Sequence, residues 1–241
     1  MRPRMTLLPS SPRIRRTVNI AAFGGTFDPI HSGHLRAARM AVRKFRLAKV
    51  LFIPTGNPPH KHHCRLTSFY HRYAMVALAC GRDPRFVPSL LEAPTLNGAV
   101  HYSVDTAKAI KDSLSPRDRL FFIMGADSFQ DLPQWREYRT LLELVNIIVV
   151  SRPGFDVVQV AKAVLEGLVR RHSDDDSRDT FRLPHTTLSI LRGVNSPAAS
   201  REIREAIRSG KRVTGLVSPL VEQYIVKEGL YRPAAEGQAR R

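Results

Sequence analysis

Residues 18–34 read Val-Asn-Ile-Ala-Ala-Phe-Gly-Gly-Thr-Phe-Asp-Pro-Ile-His-Ser-Gly-His. The apolar run 18–23 has the composition of a strand. It ends in two glycines, turns at Asp28-Pro29 and delivers His31 and His34 to the start of a helix. Paired glycines let the backbone approach a ligand closely. A helix start offers unpaired N–H groups and the positive end of its dipole to an anion. Two histidines three positions apart add side-chain donors for the same anion, so the segment is built as a phosphate site.

The alternation continues outward from this segment. Further strands are predicted at 49–54, 85–90, 119–124, 145–150 and 186–191. Helices are predicted at 33–46, 68–80, 103–112, 138–143, 157–171, 200–208 and 217–228. Several strands are short, continuous apolar runs, the pattern of strands buried on both faces. The expected fold is α/β: a doubly wound, mostly parallel, Rossmann-like sheet with helices on both faces. Ligands on such sheets bind beyond the carboxyl ends of the strands. The loops 24–34, 55–64, 125–137 and 151–155 fall there. Thr67 or Ser68 is the expected cap of the second helix, Ser103 begins the third, and Gly229 ends the last. Tyr70, Tyr73, Met75 and Leu78 read as a core stripe on the second helix.

Composition narrows the class. The chain has 241 residues with 43% hydrophobic content, enough for one full core. It divides into a basic tail over 1–16, a folded domain over 17–231 and a second tail over 232–241. The first tail is arginine-rich and acid-free, as transit peptides are. Its prolines argue against an amphipathic helix, and it lacks the apolar core of a secretory signal. Disorder is the expectation for both tails. No apolar run approaches the ~18–20 residues needed to span a bilayer. Cys64 and Cys80 make no disulfide framework, which points to a reducing cytoplasm.

The net charge of +17, from 38 Lys+Arg against 21 Asp+Glu, favours anionic partners. The excess is mostly arginine spread along the chain. It forms no lysine block and no aromatic-basic interleaving, so nucleic acid and membrane are not the expected partners. The run holding Asp174, Asp175, Asp176 and Asp179 lacks a calcium-loop pattern and reads as a solvated acidic loop. His60, Lys61, His62, His63 and Cys64 group zinc-type ligands. Adjacent ligands on an irregular loop rarely converge on one ion, so no protein-built metal site is expected.

The segment 24–34 is neither the dinucleotide fingerprint Gly-x-Gly-x-x-Gly nor a P-loop, which needs Gly-Lys-Ser/Thr. With its Gly-Gly-Thr-Phe-Asp-Pro-x-His-x-Gly-His pattern the chain resembles the His-x-Gly-His nucleotidyltransferases. It looks most like the bacterial nicotinate mononucleotide adenylyltransferases. Further elements match that narrower family: Pro58-Pro59-His60-Lys61, Tyr102-Ser103-Val104-Asp105-Thr106, Gly125-Ala126-Asp127-Ser128, Trp135-Arg136-Glu137-Tyr138, Arg152-Pro153-Gly154 and Gly229-Leu230-Tyr231. They keep the family's order over about 17–231.

The resemblance implies an ATP half made by Gly24, Gly25, Thr26, Phe27, His31, His34, Ser200 and Arg204. Of these, His31, His34 and Arg204 would act on the phosphates. It implies a mononucleotide half made by Lys61, Tyr102, Ser103, Asp127, Trp135, Arg136 and Arg152, with Trp135 stacking on the pyridine ring. Backbone N–H groups near Ser103 and Arg136 would hold a nicotinate carboxylate. One departure stands out. The family's second signature runs roughly Ile-Ser-Ser/Thr-Thr-x-Ile-Arg, whereas this chain reads Ala199-Ser200-Arg201-Glu202-Ile203-Arg204. Ser200 then becomes the expected helix cap, with Ser196 as the alternative serine.

Charge explains what such a site must do. A 5′-phosphate has a second pKa near ~6 and is already ionised at neutral pH, so no general base is needed. The protein must instead hold two polyanions together and stabilise the charge that develops on the bridging oxygen. Mg²⁺ prefers phosphates and waters and would arrive on the ATP. The expected reaction joins ATP and nicotinate mononucleotide, giving deamido-NAD and pyrophosphate. The alternatives are nicotinamide mononucleotide or phosphopantetheine as acceptor, or a nucleotide- or RNA-binding relative without activity. Oligomeric state is left open.

Overall fold

A computed structural model describes residues 17–56, 66–96, 98–151, 156–168 and 179–233. Most of both tails, Lys61, Arg152, the His60–Cys64 cluster and Asp174, Asp175 and Asp176 lie outside the described residues.

Seven strands form one sheet: β1 (Asn19–Gly25), β2 (Lys49–Pro54), β3 (Phe86–Pro88), β4 (Arg119–Gly125), β5 (Asn146–Val150), β6 (Thr180–Arg182) and β7 (Thr187–Leu191). Their order is β3-β2-β1-β4-β5-β7-β6. Every pairing is parallel except β6 with β7. The chain winds outward from β1 to β3, then restarts at β4 and winds the other way. The reversal lies between β1 and β4, where Phe23 pairs with Ile123. A crevice opens at the carboxyl ends of strands that diverge in this way.

The apolar runs work by period two. Ala21 and Phe23, Phe121 and Ile123, and Ile148 and Val150 face one core, while Ala22, Phe122 and Met124, and Ile147 and Val149 face the other. The first core is closed by α1 (Ser32–Phe45), α2 (Phe69–Cys80), α7 (Ser200–Arg208) and α8 (Pro219–Lys227). The second is closed by α3 (Ser103–Asp112), α4 (Ala126–Gln130), α5 (Tyr138–Leu144) and α6 (Val157–Val164). Among the described residues no helix is long and apolar enough to cross a membrane.

The six predicted strands and seven predicted helices are present, with corrections. Loop 125–137 holds α4 and a 3₁₀ turn, Leu132–Gln134. The three-residue β6 was missed because only Phe181 in it is apolar. Helix α6 stops at Val164 rather than at 171, and Gly167 follows with φ +73°. Ser68 caps α2 by accepting the His71 N–H at 3.4 Å. Tyr70 is not core: it is 67% exposed, whereas Met75 is fully buried. Gly229 follows α8 with φ +60°, as an L-residue rarely does.

Candidate active site

The turn after β1 is positioned from both sides. Gly25 O accepts the Thr55 N–H at 2.9 Å, which ties the exit of β1 to the exit of β2. A Cβ on Gly25 would lie 3.2 Å from the Phe27 ring, so a larger residue would push that ring out. Phe27 itself is buried and takes a left-handed backbone, φ +48°, which is uncommon for a non-glycine. Its ring meets that of His34 edge-on, 5.0 Å between centroids.

His31 is the N-cap of α1 and His34 its third residue. A reciprocal capping box closes the helix start: the His31 ring faces the backbone N–H of His34, and His34 Nδ1 accepts the His31 N–H at 3.2 Å. The two rings stack at 3.7 Å. With Nδ1 accepting, a neutral His34 ring carries its proton on Nε2. The Ser32 N–H is committed to Leu216 O at 2.8 Å. The helix start therefore offers an anion fewer free backbone donors than its sequence suggests, and the imidazoles matter more.

Helix α7 docks on the same turn. Arg204 Nη1 donates to Asp28 O at 2.6 Å, and Ser200 Oγ donates to Pro29 O at 3.0 Å. The expected cap is corrected: Ala199 is the N-cap and Ser200 the first helical residue. Its hydroxyl bonds across to the turn rather than down its own helix. Arg201 is exposed. Ser196 Oγ lies 3.1 Å from where a Gly33 Cβ would stand, so both candidate serines reach the turn.

Three buried polar residues, none of them among the expected site residues, support this region. Arg72, on α2, is only 2% exposed. Its Nε donates to Thr67 O at 2.9 Å, Nη1 to Thr26 O at 2.8 Å and Nη2 to Thr55 O at 2.7 Å. One guanidinium thus joins the exits of β1 and β2 to the start of α2. Burial pulls its pKa below the usual guanidinium value, and the Asp28 carboxylate opposes that. Asp28 is buried and accepts the Thr67 N–H at 3.2 Å and the Tyr231 hydroxyl at 2.7 Å. Burial, then the Asp28 charge, push the Tyr231 hydroxyl's pKa upward, which keeps it a donor. The third is Glu92, buried at the cleft described next.

On the other side of Gly24-Gly25 lies a cleft of about 300 Å³. Its floor is Phe122 and Met124 from β4; its walls include Thr55, Tyr102, Ser103, Ser128, Trp135 and Arg136. The Trp135 ring stands edge-on to Phe122 at 6.5 Å, half-buried, with its remaining surface in the cleft. Tyr102 is the N-cap of α3, and the Arg136 guanidinium lies 4.6 Å over its ring. Asp127 is exposed at the second position of α4, where Gly125 is the cap; Ser128 and Asp131, beside it in the chain, line the cleft. The histidine turn and the tryptophan cleft flank the strand end at the switch point.

Among the described residues no group of three or more His, Cys, Asp or Glu could hold a metal. The buried Asp28 already carries two donors.

The sequence pattern of the cytidylyltransferase-like family matches residues 22–213. A protein of Geotalea uraniireducens named a probable nicotinate-nucleotide adenylyltransferase is 37% identical over 219 residues, covering 90% of this chain and 100% of the relative. One of the same name from Desulfitobacterium hafniense (strain Y51) is 41% identical over 214 residues, covering 88% and 95%. The solved nicotinic acid mononucleotide adenylyltransferase of Plasmodium falciparum, complexed with NaAD, superposes with a TM-score of 0.63. It is 20% identical over 89% of this chain and 97% of that one, a likeness that shows the fold.

Proposed function

This chain belongs to the cytidylyltransferase-like family, among the nicotinate-nucleotide adenylyltransferases, and from that premise we propose that it transfers the adenylyl group of ATP to nicotinate mononucleotide. The mononucleotide 5′-phosphate oxygen attacks the α-phosphorus. A new P–O bond forms, the α–β bridging P–O bond breaks, and pyrophosphate leaves with the electron pair. The product is the deamido dinucleotide. The observation that carries the reading is the stacked His31–His34 pair at the switch point, joined through Gly24-Gly25 to the Trp135 cleft.

The chain's own groups supply position and charge. His34 Nε2–H and the His31 ring donate to phosphate oxygens as negative charge grows on the leaving group. Arg204, held by the Asp28 carbonyl, adds a cation on the same side. Gly24 and Gly25 let the triphosphate lie against the strand end. Thr26 continues that surface, the buried Phe27 ring supports it from the core, and Ser200 braces it. Trp135 stacks on the pyridine ring, and the backbone at Ser103 and Arg136 receives the carboxylate. Tyr102, Asp127, Lys61 and Arg152 complete the mononucleotide half. Mg²⁺ enters as part of Mg·ATP and neutralises phosphate charge when bound. The setting is the cytoplasm.

An acceptor panel tests the proposal. With ATP and Mg²⁺, pyrophosphate release is measured after adding nicotinate mononucleotide, nicotinamide mononucleotide or phosphopantetheine. The nicotinate form should give the highest kcat/KM. A preference for either other acceptor would reassign the substrate. No release with any of them would leave a nucleotide-binding protein without this activity.

A further inference from the structure

Glu92 is a carboxyl group where the chemistry described above needs none. It is 5% exposed and lines the cleft beside Thr55, His101, Tyr102 and Ser103. Its Oε1 accepts the Thr106 hydroxyl at 2.9 Å, and its carboxyl group also accepts the backbone N–H of Gly56. Thr106 is the fourth residue of α3, one turn below the Tyr102-Ser103 start that forms the cleft wall. Gly56 is the second residue beyond β2. A Cβ there would lie 2.0 Å from the Glu92 carbonyl oxygen and 3.3 Å from the His101 ring, so only glycine fits this approach. From the opposite side Arg72 holds the Thr55 carbonyl at 2.7 Å. The dipeptide 55–56 is thus gripped between two buried side chains, Arg72 on α2 and Glu92 in the loop between β3 and α3.

We propose that Glu92 is a positioning residue for the mononucleotide half of the site: it fixes the exit of β2 against the first turns of α3 and so sets the width of the cleft. The proposal rests on the adenylyltransferase reading given above. Burying a carboxyl group is unfavourable unless its hydrogen bonds are worth keeping, and an apolar side chain would fill the same space at less cost. The bonds made by Glu92 run to the Gly56 backbone and the Thr106 hydroxyl, on the two chain segments that bracket the cleft. They do not run to the histidine turn. Loss of Glu92 should therefore be felt by the mononucleotide and not by ATP.

Steady-state kinetics of Glu92→Ala and Glu92→Gln, with each substrate varied in turn, test this. Alanine should raise the mononucleotide KM about tenfold or more, as loss of buried hydrogen bonds implies, with the ATP KM and kcat within about threefold. Glutamine should bring the KM back to within about threefold of wild type, because its oxygen accepts from Gly56 while its amide donates to Thr106 Oγ1. Should the alanine variant not fold, Thr106→Val removes one bond alone and should still raise the mononucleotide KM selectively. Unchanged KM values in folded Glu92→Ala, or equal rises for both substrates, would overturn the proposal. So would a glutamine variant as impaired as the alanine one. Absence of turnover by the wild-type protein would instead overturn the parent reading, and the proposal with it.

Discussion

Replacing Glu92 with Gln should remove a component of stability that depends on pH. Burial lifts this carboxyl from its ordinary 4.5 to about 7, against the opposing hydrogen bonds from Thr106 and Gly56. The folded pKa exceeds the unfolded one, so the native state keeps a proton that the unfolded chain releases. The stabilisation is complete below pH 4.5 and drains away as the pH rises towards 7. At 1.36 kcal/mol per pH unit, that interval amounts to about 3 kcal/mol. Roughly 2.5 kcal/mol of it falls between pH 5 and 8. Urea unfolding of both proteins across that range measures it directly. Every other titrating group is common to the two proteins and cancels in the difference. The glutamine variant should gain on wild type as the pH rises. A stability difference that stays constant from pH 5 to 8 would refute the reasoning.

The other perturbations act on separate parts of the account. Tyr231→Phe removes the donor to Asp28, a bond to a carboxylate, and should cost about 2 kcal/mol, or roughly 4–8 °C in the thermal midpoint by calorimetry; an unchanged midpoint would show that the contact is idle. Trp135→Ala should weaken mononucleotide binding by about 1–3 kcal/mol, the worth of a base–aromatic stack, while ATP affinity measured by titration calorimetry stays near wild type. Equal losses for both ligands would make the tryptophan a packing residue. Arg201→Thr restores the family's residue, yet should change the ATP KM by less than about threefold, because surface substitutions are usually worth under ~0.5 kcal/mol. A gain of tenfold or more would mean that α7 is poorly placed in the native chain.

The strand runs, their alternation with helices and the histidine turn were legible because each is local. A continuous apolar run buried on both faces shows itself in six residues, and Gly24-Gly25 through His34 is contiguous. What escaped is made of contacts between distant segments. Arg72 gathers carbonyls from residues 26, 55 and 67, which no spacing rule brings together. One signal was available: Arg72 shares its helical stripe with Phe69, Val76 and Ala79, and a cation on a buried face calls for partners. Glu92 offered no such signal, since it is buried while its neighbours Leu90 and Leu91 are exposed. Helix α4 was hidden because five residues cannot display a period. Ser200 was misread as a cap because its acceptor, Pro29 O, belongs to the opening turn rather than to α7.

The central claim is that the paired histidines serve transfer of the α-phosphoryl group, with its adenosine, to nicotinate mononucleotide. Incubating the protein with ATP labelled at the α-phosphorus, Mg²⁺ and this acceptor tests it most directly. The label should pass into the dinucleotide in step with pyrophosphate release, and His34→Ala should slow that passage by about 10²–10³, the effect of removing one charge-stabilising donor, without loss of fold. Label that remains in ATP or appears as free AMP, or an undiminished rate in the His34→Ala variant, would contradict the account.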